Sequence, residues 1–239
     1  MSEMLFLTDA YLRETGGKVV AHTAEGGIVL DATVFYPKGG GQPGDSGRLI
    51  WDNQIMPIAT AIKGDQDQIV LVPSEPQALP PIGAILTQEL DWERRYKHMR
   101  VHTALHLLSV AVPHGVTGGA ISAGYGRLDF NMPEAPEDRD VIEQALQAFV
   151  DMDVVVSEDW IDQATLDAAP QLVKTLSVKP PRGAGRVRLV RIGSGQDQID
   201  LQPCGGTHVA RTGEIGAVRL GKIEKKGRMN RRIYLHLDD

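Results

Sequence analysis

The 239-residue chain has a single cysteine, Cys204, so no disulfide can form within it, and that usage fits a reducing cytoplasm. It also lacks any long apolar run. Charged residues, glycine or proline break each one well short of the ~18 residues that span a membrane. The N-terminus lacks the basic-then-apolar order of a signal segment, and no internal repeat or low-complexity stretch is visible. Positive charge is in short supply: the formal balance is −6, which argues against a generally sticky nucleic-acid binder. What remains, 42% hydrophobic and 23% charged, is the composition of an ordinary soluble globular protein with length for two modest domains. No segment marks an obligate protein partner or a membrane partner.

The scarce positive charge is unevenly spread. From Lys222 to Arg232 stand Lys222, Lys225, Lys226, Arg228, Arg231 and Arg232 against Glu224, a local +5 that leaves the rest of the chain at −11. A basic patch on an acidic body suits site-directed docking of a polyanion, with repulsion elsewhere. The same run is also what a solvated basic turn between two strands would look like.

Residues 5–90 read as short β segments punctuated by glycine, for example Lys18–His22, Gly27–Leu30, Gln68–Val72 and Ala84–Thr87. That spacing points to a small barrel or curled sheet. Four prolines between Pro73 and Gly83 mark a loop before the last of these strands, and the domain boundary is placed near Leu90. Asp91 is a candidate N-cap for a helix running to about Val112, stopped by Pro113 and Gly115. A second helix is expected over Pro136–Asp151, with Val141, Leu146 and Phe149 as its apolar stripe. Strands are expected at Asp153–Ser157, Arg186–Ile192, Gln198–Leu201 and Ile233–Leu237, with a short helix at Ile161–Ala168. The fold class is therefore α+β: a small N-terminal β-barrel (1–90) followed by an α+β domain (91–239) with a mixed or antiparallel sheet and helices.

Two stretches carry metal-ligand chemistry. His102 and His106 stand four apart on the expected first helix and so share a face. Alone, such a pair more often sits at a surface than binds a metal. The pattern is like the H-E-x-x-H of metalloproteases, but Thr103 stands where their glutamate base would be, which excludes that mechanism. Cys204 and His208 have the same spacing across Gly205-Gly206, where a helix is improbable and a tight loop would turn thiolate and imidazole inward. A lone cysteine is usually an inert buried side chain. Taken together the four make a His₃Cys set suited to tetrahedral zinc. A third stretch, Asp31 to Gly47, is glycine-rich and lacks the G-K-[ST] of a phosphate loop. Its glycines permit close backbone approach to a ligand, with Thr33 and Gln42 nearby as neutral hydrogen-bonding groups. It reads as too irregular for a plain hairpin turn. His22, His98, His114 and His236 have no partners in sequence and are taken as structural.

In chain order the glycine loop, Asp91-Trp92-Glu93-Arg94-Arg95 leading into His-Thr-Ala-Leu-His, Cys-Gly-Gly-Thr-His and Lys225-Lys226-Gly227-Arg228 resemble the editing domain of alanyl-tRNA synthetase. They resemble especially its free-standing relatives, the AlaX-type proteins, and the barrel domain resembles that of the medium-length members. The resemblance covers nearly the whole chain and implies action in trans, without a synthetase domain or the long form's extra C-terminal domain. It implies one Zn²⁺ held by His102, His106, Cys204 and His208, and hydrolysis of the ester of mischarged tRNA(Ala), chiefly Ser-tRNA(Ala). Thr33, Gly40, Gly41 and Gln42 would meet the substrate. Arg94, Arg95, Lys222, Lys225, Lys226, Arg228, Arg231 and Arg232, with Lys97 beside them, would meet the phosphates of the tRNA acceptor stem. Two other readings keep the metal: a hydrolase of small esters or amides, and a non-catalytic zinc-stabilised tRNA-binding module, which a closed four-ligand set favours.

Overall fold

A computed structural model describes residues 2–175 and 185–238. The chain divides into two compact units, Met1–Lys97 and His98–Asp239.

The first unit holds β1 (Glu3–Met4), β2 (Glu14–His22), β3 (Ile28–Leu30), β4 (Ala32–Thr33), β5 (Gly47–Trp51), β6 (Gln54–Lys63), β7 (Ile69–Pro73) and β8 (Ile85–Leu90). Six of these close a barrel in the order β2-β3-β7-β6-β5-β8, so no open edge remains in it. Alternate side chains turn inward. Leu49 and Trp51 of β5, Met56 and Ile58 of β6, and Ile28 and Leu30 of β3 are buried around Phe6 and Phe35. β5 and β6 are missing from the sequence reading. The two-residue turn between them, Asp52-Asn53, has both residues at positive φ (44° and 60°), the geometry that lets a tight hairpin follow the strand twist.

α1 (Trp92–Ala111) begins in the first unit and continues from His98 in the second, where it is followed by β9 (Val116–Ser122), β10 (Tyr125–Asn131), α2 (Arg139–Asp151), β11 (Val156–Asp162), α3 (Gln163–Ala168), β12 (Arg186–Ile192), β13 (Asp200–Pro203), β14 (Val218–Gly227) and β15 (Asn230–Leu237). These strands form two antiparallel sheets, β14-β15-β10-β9 and β11-β12-β13. The α+β class with an N-terminal barrel is what the structure has. Among the described residues no helix is long and apolar enough to cross a membrane.

Several local expectations shift. α1 starts as anticipated, with Asp91 Oδ1 accepting from the Arg94 N–H at 3.3 Å. α2 begins at Arg139 rather than Pro136, because Asp138 caps it through the N–H groups of Asp140 and Val141. Its buried stripe is Ile142, Leu146 and Val150, at i, i+4 and i+8, while Val141 faces solvent. β11 runs to Asp162, held in register against β12 from Val156↔Ile192 to Asp162↔Arg186, and Asp162 then caps α3 through Thr165 N–H. The hairpin β9–β10 went unread because Gly118, Gly119 and Gly126 interrupt its alternation.

Candidate metal centre

The site is assembled in the second unit from one helix and one loop. α1 is buried almost all round from Met99 to Leu108, with Val101, Ala104, Leu107 and Leu108 fully inaccessible. His102 and His106 project from it with ring centroids 5.3 Å apart. The ladder between β12 and β13 ends at the Leu189↔Pro203 pair, and the chain then turns through Cys204-Gly205-Gly206. This turn is pinned by Arg188. Its Nη1 donates to Cys204 O and Gly206 O, each at 3.0 Å, while its backbone carbonyl accepts from Cys204 N–H. No sequence reading singled out Arg188. The available signal was a cation set among the apolar residues of Arg186–Ile192.

The turn brings His208 back onto the helical pair. Its ring lies 4.3 Å from that of His102 and 4.6 Å from that of His106. Cys204 Sγ lies 3.5 Å from His102 Nε2 and 3.3 Å from His208 Nε2. One ligand atom from each of the four residues falls within 4.8 Å of all the others, and the three imidazoles are 5–8% exposed. The four predicted ligands therefore do converge, and the cluster can hold one metal ion. Metal–nitrogen bonds of ~2.0–2.1 Å and a metal–sulfur bond of ~2.3 Å at a tetrahedral angle need donor–donor separations near ~3.5 Å, which the two sulfur–nitrogen distances match.

Hydrogen bonds behind the rings select their tautomers. Thr103 has one hydroxyl proton, given to Met99 O at 3.0 Å, so its oxygen accepts from Val209 N–H and from His208 Nδ1 at 3.1 Å. That leaves His208 Nε2 as the donor atom toward the cluster. The residue that ruled out a metalloprotease base is thus a support for a ligand. His106 Nδ1 meets Asp200 Oδ2 at 3.1 Å.

The electrostatics of the cluster are strongly perturbed. Burial alone would depress His106, but hydrogen bonds to Asp200 and Cys204 outweigh it and push its pKa up to about 9. Burial and the neighbouring His102 push His208 down to about 3. Burial would raise the Cys204 thiol; its interactions with His102 and His208 overcome it and hold the group well below the ordinary thiol range. Cys204 and His208 are thus held toward the thiolate and the neutral imidazole that bind a metal, while His106 must release a proton to do so.

The other predicted residues are distributed differently. In the first unit Thr33 is buried, donating to Gln88 Oε1 at 2.8 Å and accepting from Phe35 N–H at 3.1 Å. Gly40 and Gly41 sit at φ +55° and +84° between reciprocal Gly39/Gln42 backbone bonds. The stretch taken as too irregular for a hairpin turn thus contains a tight one, at positive φ values that glycine adopts at no steric cost, and Gln42 is buried behind it. Arg95 is fully buried, its guanidinium paired with Asp45 and bonded to Ala10 O and Val34 O. Arg94 is half-buried. In the second unit the basic run forms the outer part of the β14–β15 hairpin. Lys222 and Lys226 both pair with Glu224, and Arg232 pairs with Asp129. Arg231 is buried and donates to Gly227 O and Asn230 O. Lys225 and Arg228 are exposed, with no carboxylate paired to either among the described residues.

The sequence also matches two protein families over parts of its length. Residues 9–94 match the family described as tRNA synthetases class II (A), and residues 187–234 the one described as Threonyl and Alanyl tRNA synthetase second additional domain. The alanyl-tRNA editing protein AlaX-M of Methanosarcina acetivorans is 30% identical over the full length of both chains. That of Saccharolobus solfataricus is 31% identical over 98% of each. The chain belongs to the AlaX-M family of alanyl-tRNA editing proteins. Relatedness extends to a synthetase: the alanine--tRNA ligase of Pyrobaculum arsenaticum is 33% identical over 92% of this chain, which spans 25% of that longer protein. The AlaX-M relatives thus align with both units, barrel and metal cluster alike.

Proposed function

We propose that the chain is an aminoacyl-tRNA deacylase that hydrolyses the ester of mischarged tRNA(Ala), chiefly Ser-tRNA(Ala), at a site holding one Zn²⁺ through His102, His106, Cys204 and His208. The observation that carries this reading is the convergence of those four ligand atoms in a chain related end to end to alanyl-tRNA editing proteins. The chemical need is plain. A pocket shaped for alanine cannot strongly reject an analogue that adds only a hydroxyl, so a separate hydrolytic site must remove the error.

Bound there, Zn²⁺ supplies Lewis acidity for a carbonyl oxygen or a water. The protein's part is to hold the ligands stiffly, through Thr103 on His208, Asp200 on His106 and Arg188 on the Cys204 turn. Recognition of the seryl hydroxyl is assigned to Thr33, whose oxygen keeps one lone pair beyond its present bonds, and to Gln42, with Gly40 and Gly41 permitting close backbone approach. Docking of the acceptor stem is assigned to the basic hairpin, led by Lys225 and Arg228 with Lys222, Lys226 and Arg232, and to Arg94. The buried Arg95 and Arg231 are left out of that surface. Action on tRNA places the protein in the cytoplasm.

The deciding experiment compares Ser-tRNA(Ala) with Ala-tRNA(Ala) deacylation, with and without a chelator. Selective, chelator-sensitive loss of the seryl ester is expected. The complete four-ligand set favours a second reading, a zinc-stabilised tRNA-binding module, which predicts tight tRNA binding with no ester loss.

A further inference from the structure

Behind the metal cluster lies a chain of polar groups that leads from His106 toward the surface. β13 places Asp200 and Gln202 two residues apart and therefore on one sheet face, and Cys204 continues the same alternation. Asp200 is almost fully buried. Its Oδ2 meets His106 Nδ1 at 3.1 Å and Gln202 Nε2 at 2.7 Å, and its Oδ1 takes Lys174 Nζ at 2.6 Å. Lys174 is partly exposed. Gln202 also reaches Ser109 Oγ at 3.3 Å, and Ser109 in turn donates to the carbonyl of His106.

The donors and acceptors admit one arrangement. Gln202 Nε2 approaches His106 Nδ1 to 3.2 Å, but both converge on Asp200 Oδ2. Were Nδ1 unprotonated, its lone pair would face a carboxylate oxygen at 3.1 Å with no proton between them. The proton therefore sits on Nδ1, and Nε2 is the ligand atom. We infer that Asp200 is the positioning residue of the metal centre: it fixes the tautomer and orientation of His106, and Lys174 anchors the carboxylate from the far side. Carboxylates behind ligating histidines do this in other metal sites, and their loss typically weakens metal binding ~10–100-fold.

This inference rests on the zinc reading above, and the test separates the two. The full-length chain and its Asp200→Ala and Asp200→Asn variants are stripped of metal. Zn²⁺ affinity is then measured by competition with a chromophoric chelator, and the ligand-field spectrum is recorded with Co²⁺. Asp200→Ala is expected to lose about 10–100-fold in Zn²⁺ affinity and to shift the Co²⁺ bands. Asparagine, whose Oδ1 still accepts from Nδ1–H, restores most of that loss. Equal affinity in wild type and Asp200→Ala overturns the inference, as do equal losses in both variants. A wild-type chain that binds neither ion overturns the zinc reading instead. Independently of any variant's folding, long-range ¹H–¹⁵N correlation on the zinc-loaded wild type should show His106 protonated at Nδ1. A proton on Nε2 overturns the assignment.

Discussion

Each unit holds a knot of polar groups, fully buried in the first and with Cys204 partly exposed in the second, and the two are built on opposite plans. In the barrel unit Arg95 is fully buried against Asp45, which also accepts from the Tyr36 N–H, and the guanidinium donates further to Ala10 O and Val34 O. Charge meets opposite charge within the group. In the second unit three imidazoles and a thiol turn lone pairs toward one point, and the hydrogen bonds lie behind the rings, at Thr103 and Asp200. Donor sets that converge on one another cost free energy until a cation joins them. What distinguishes a structural ion pair from a metal centre here is the direction in which the lone pairs face.

The largest expected effect breaks the convergent knot. Cys204→Ala should lower Zn²⁺ content and reduce Ser-tRNA(Ala) deacylation by about 100-fold or more, read by single-turnover ester loss. Full activity would separate the chemistry from the cluster. Breaking the ion-paired knot should act on stability instead. Asp45→Ala leaves the Arg95 charge buried and unpaired, which should cost about 3–5 kcal/mol in chemical denaturation, with Zn²⁺ content unchanged. Thr103→Val keeps the shape of the side chain and removes the acceptor behind His208. A loss of about tenfold in Zn²⁺ affinity is expected by chelator competition. A smaller effect concerns the exposed hairpin. Neutralising Lys225 and Lys226 should weaken tRNA binding evenly across sequences and reduce the log–log salt slope by about one per charge engaged.

The smallest effect sharpens the comparison with a third acid, Asp129, which is buried against two arginines. Burial would raise Asp129, but its bonds to Arg232 and Arg127 outweigh it and hold its pKa below the ordinary carboxylate value. Its stabilisation is thus complete above the unfolded pKa of about 3.9 and is lost as pH falls through the lower folded value. Thermal melts of wild type and Asp129→Asn should therefore converge in strong acid and separate as pH rises past 4.

Legibility from sequence followed the strength of the local pattern. The N-cap at Asp91 and the histidine spacing on α1 rest on contacts a few residues apart, and the strand Arg186–Ile192 on an apolar run free of glycine and proline; each was readable. β5, β6, β9 and β10 were not, because their alternation is broken by glycine, proline or a bulge. The basic run shows the same limit. Composition counted six cations, and only the fold turned Arg231 inward and paired Arg232 with Asp129.

The four metal-ligand residues mark the division most clearly. Residue type and i, i+4 spacing by themselves determined that His102 with His106, and Cys204 with His208, could each offer two ligand atoms to one ion. Spacing acts through helical and turn geometry, which is local. That the two pairs meet, that Thr103 and Asp200 stand behind their rings, and that Arg188 holds the turn were decided only by the tertiary structure. Those contacts join residues about a hundred positions apart, or strands brought side by side, and no local pattern encodes which of many polar side chains will face the same few ångströms.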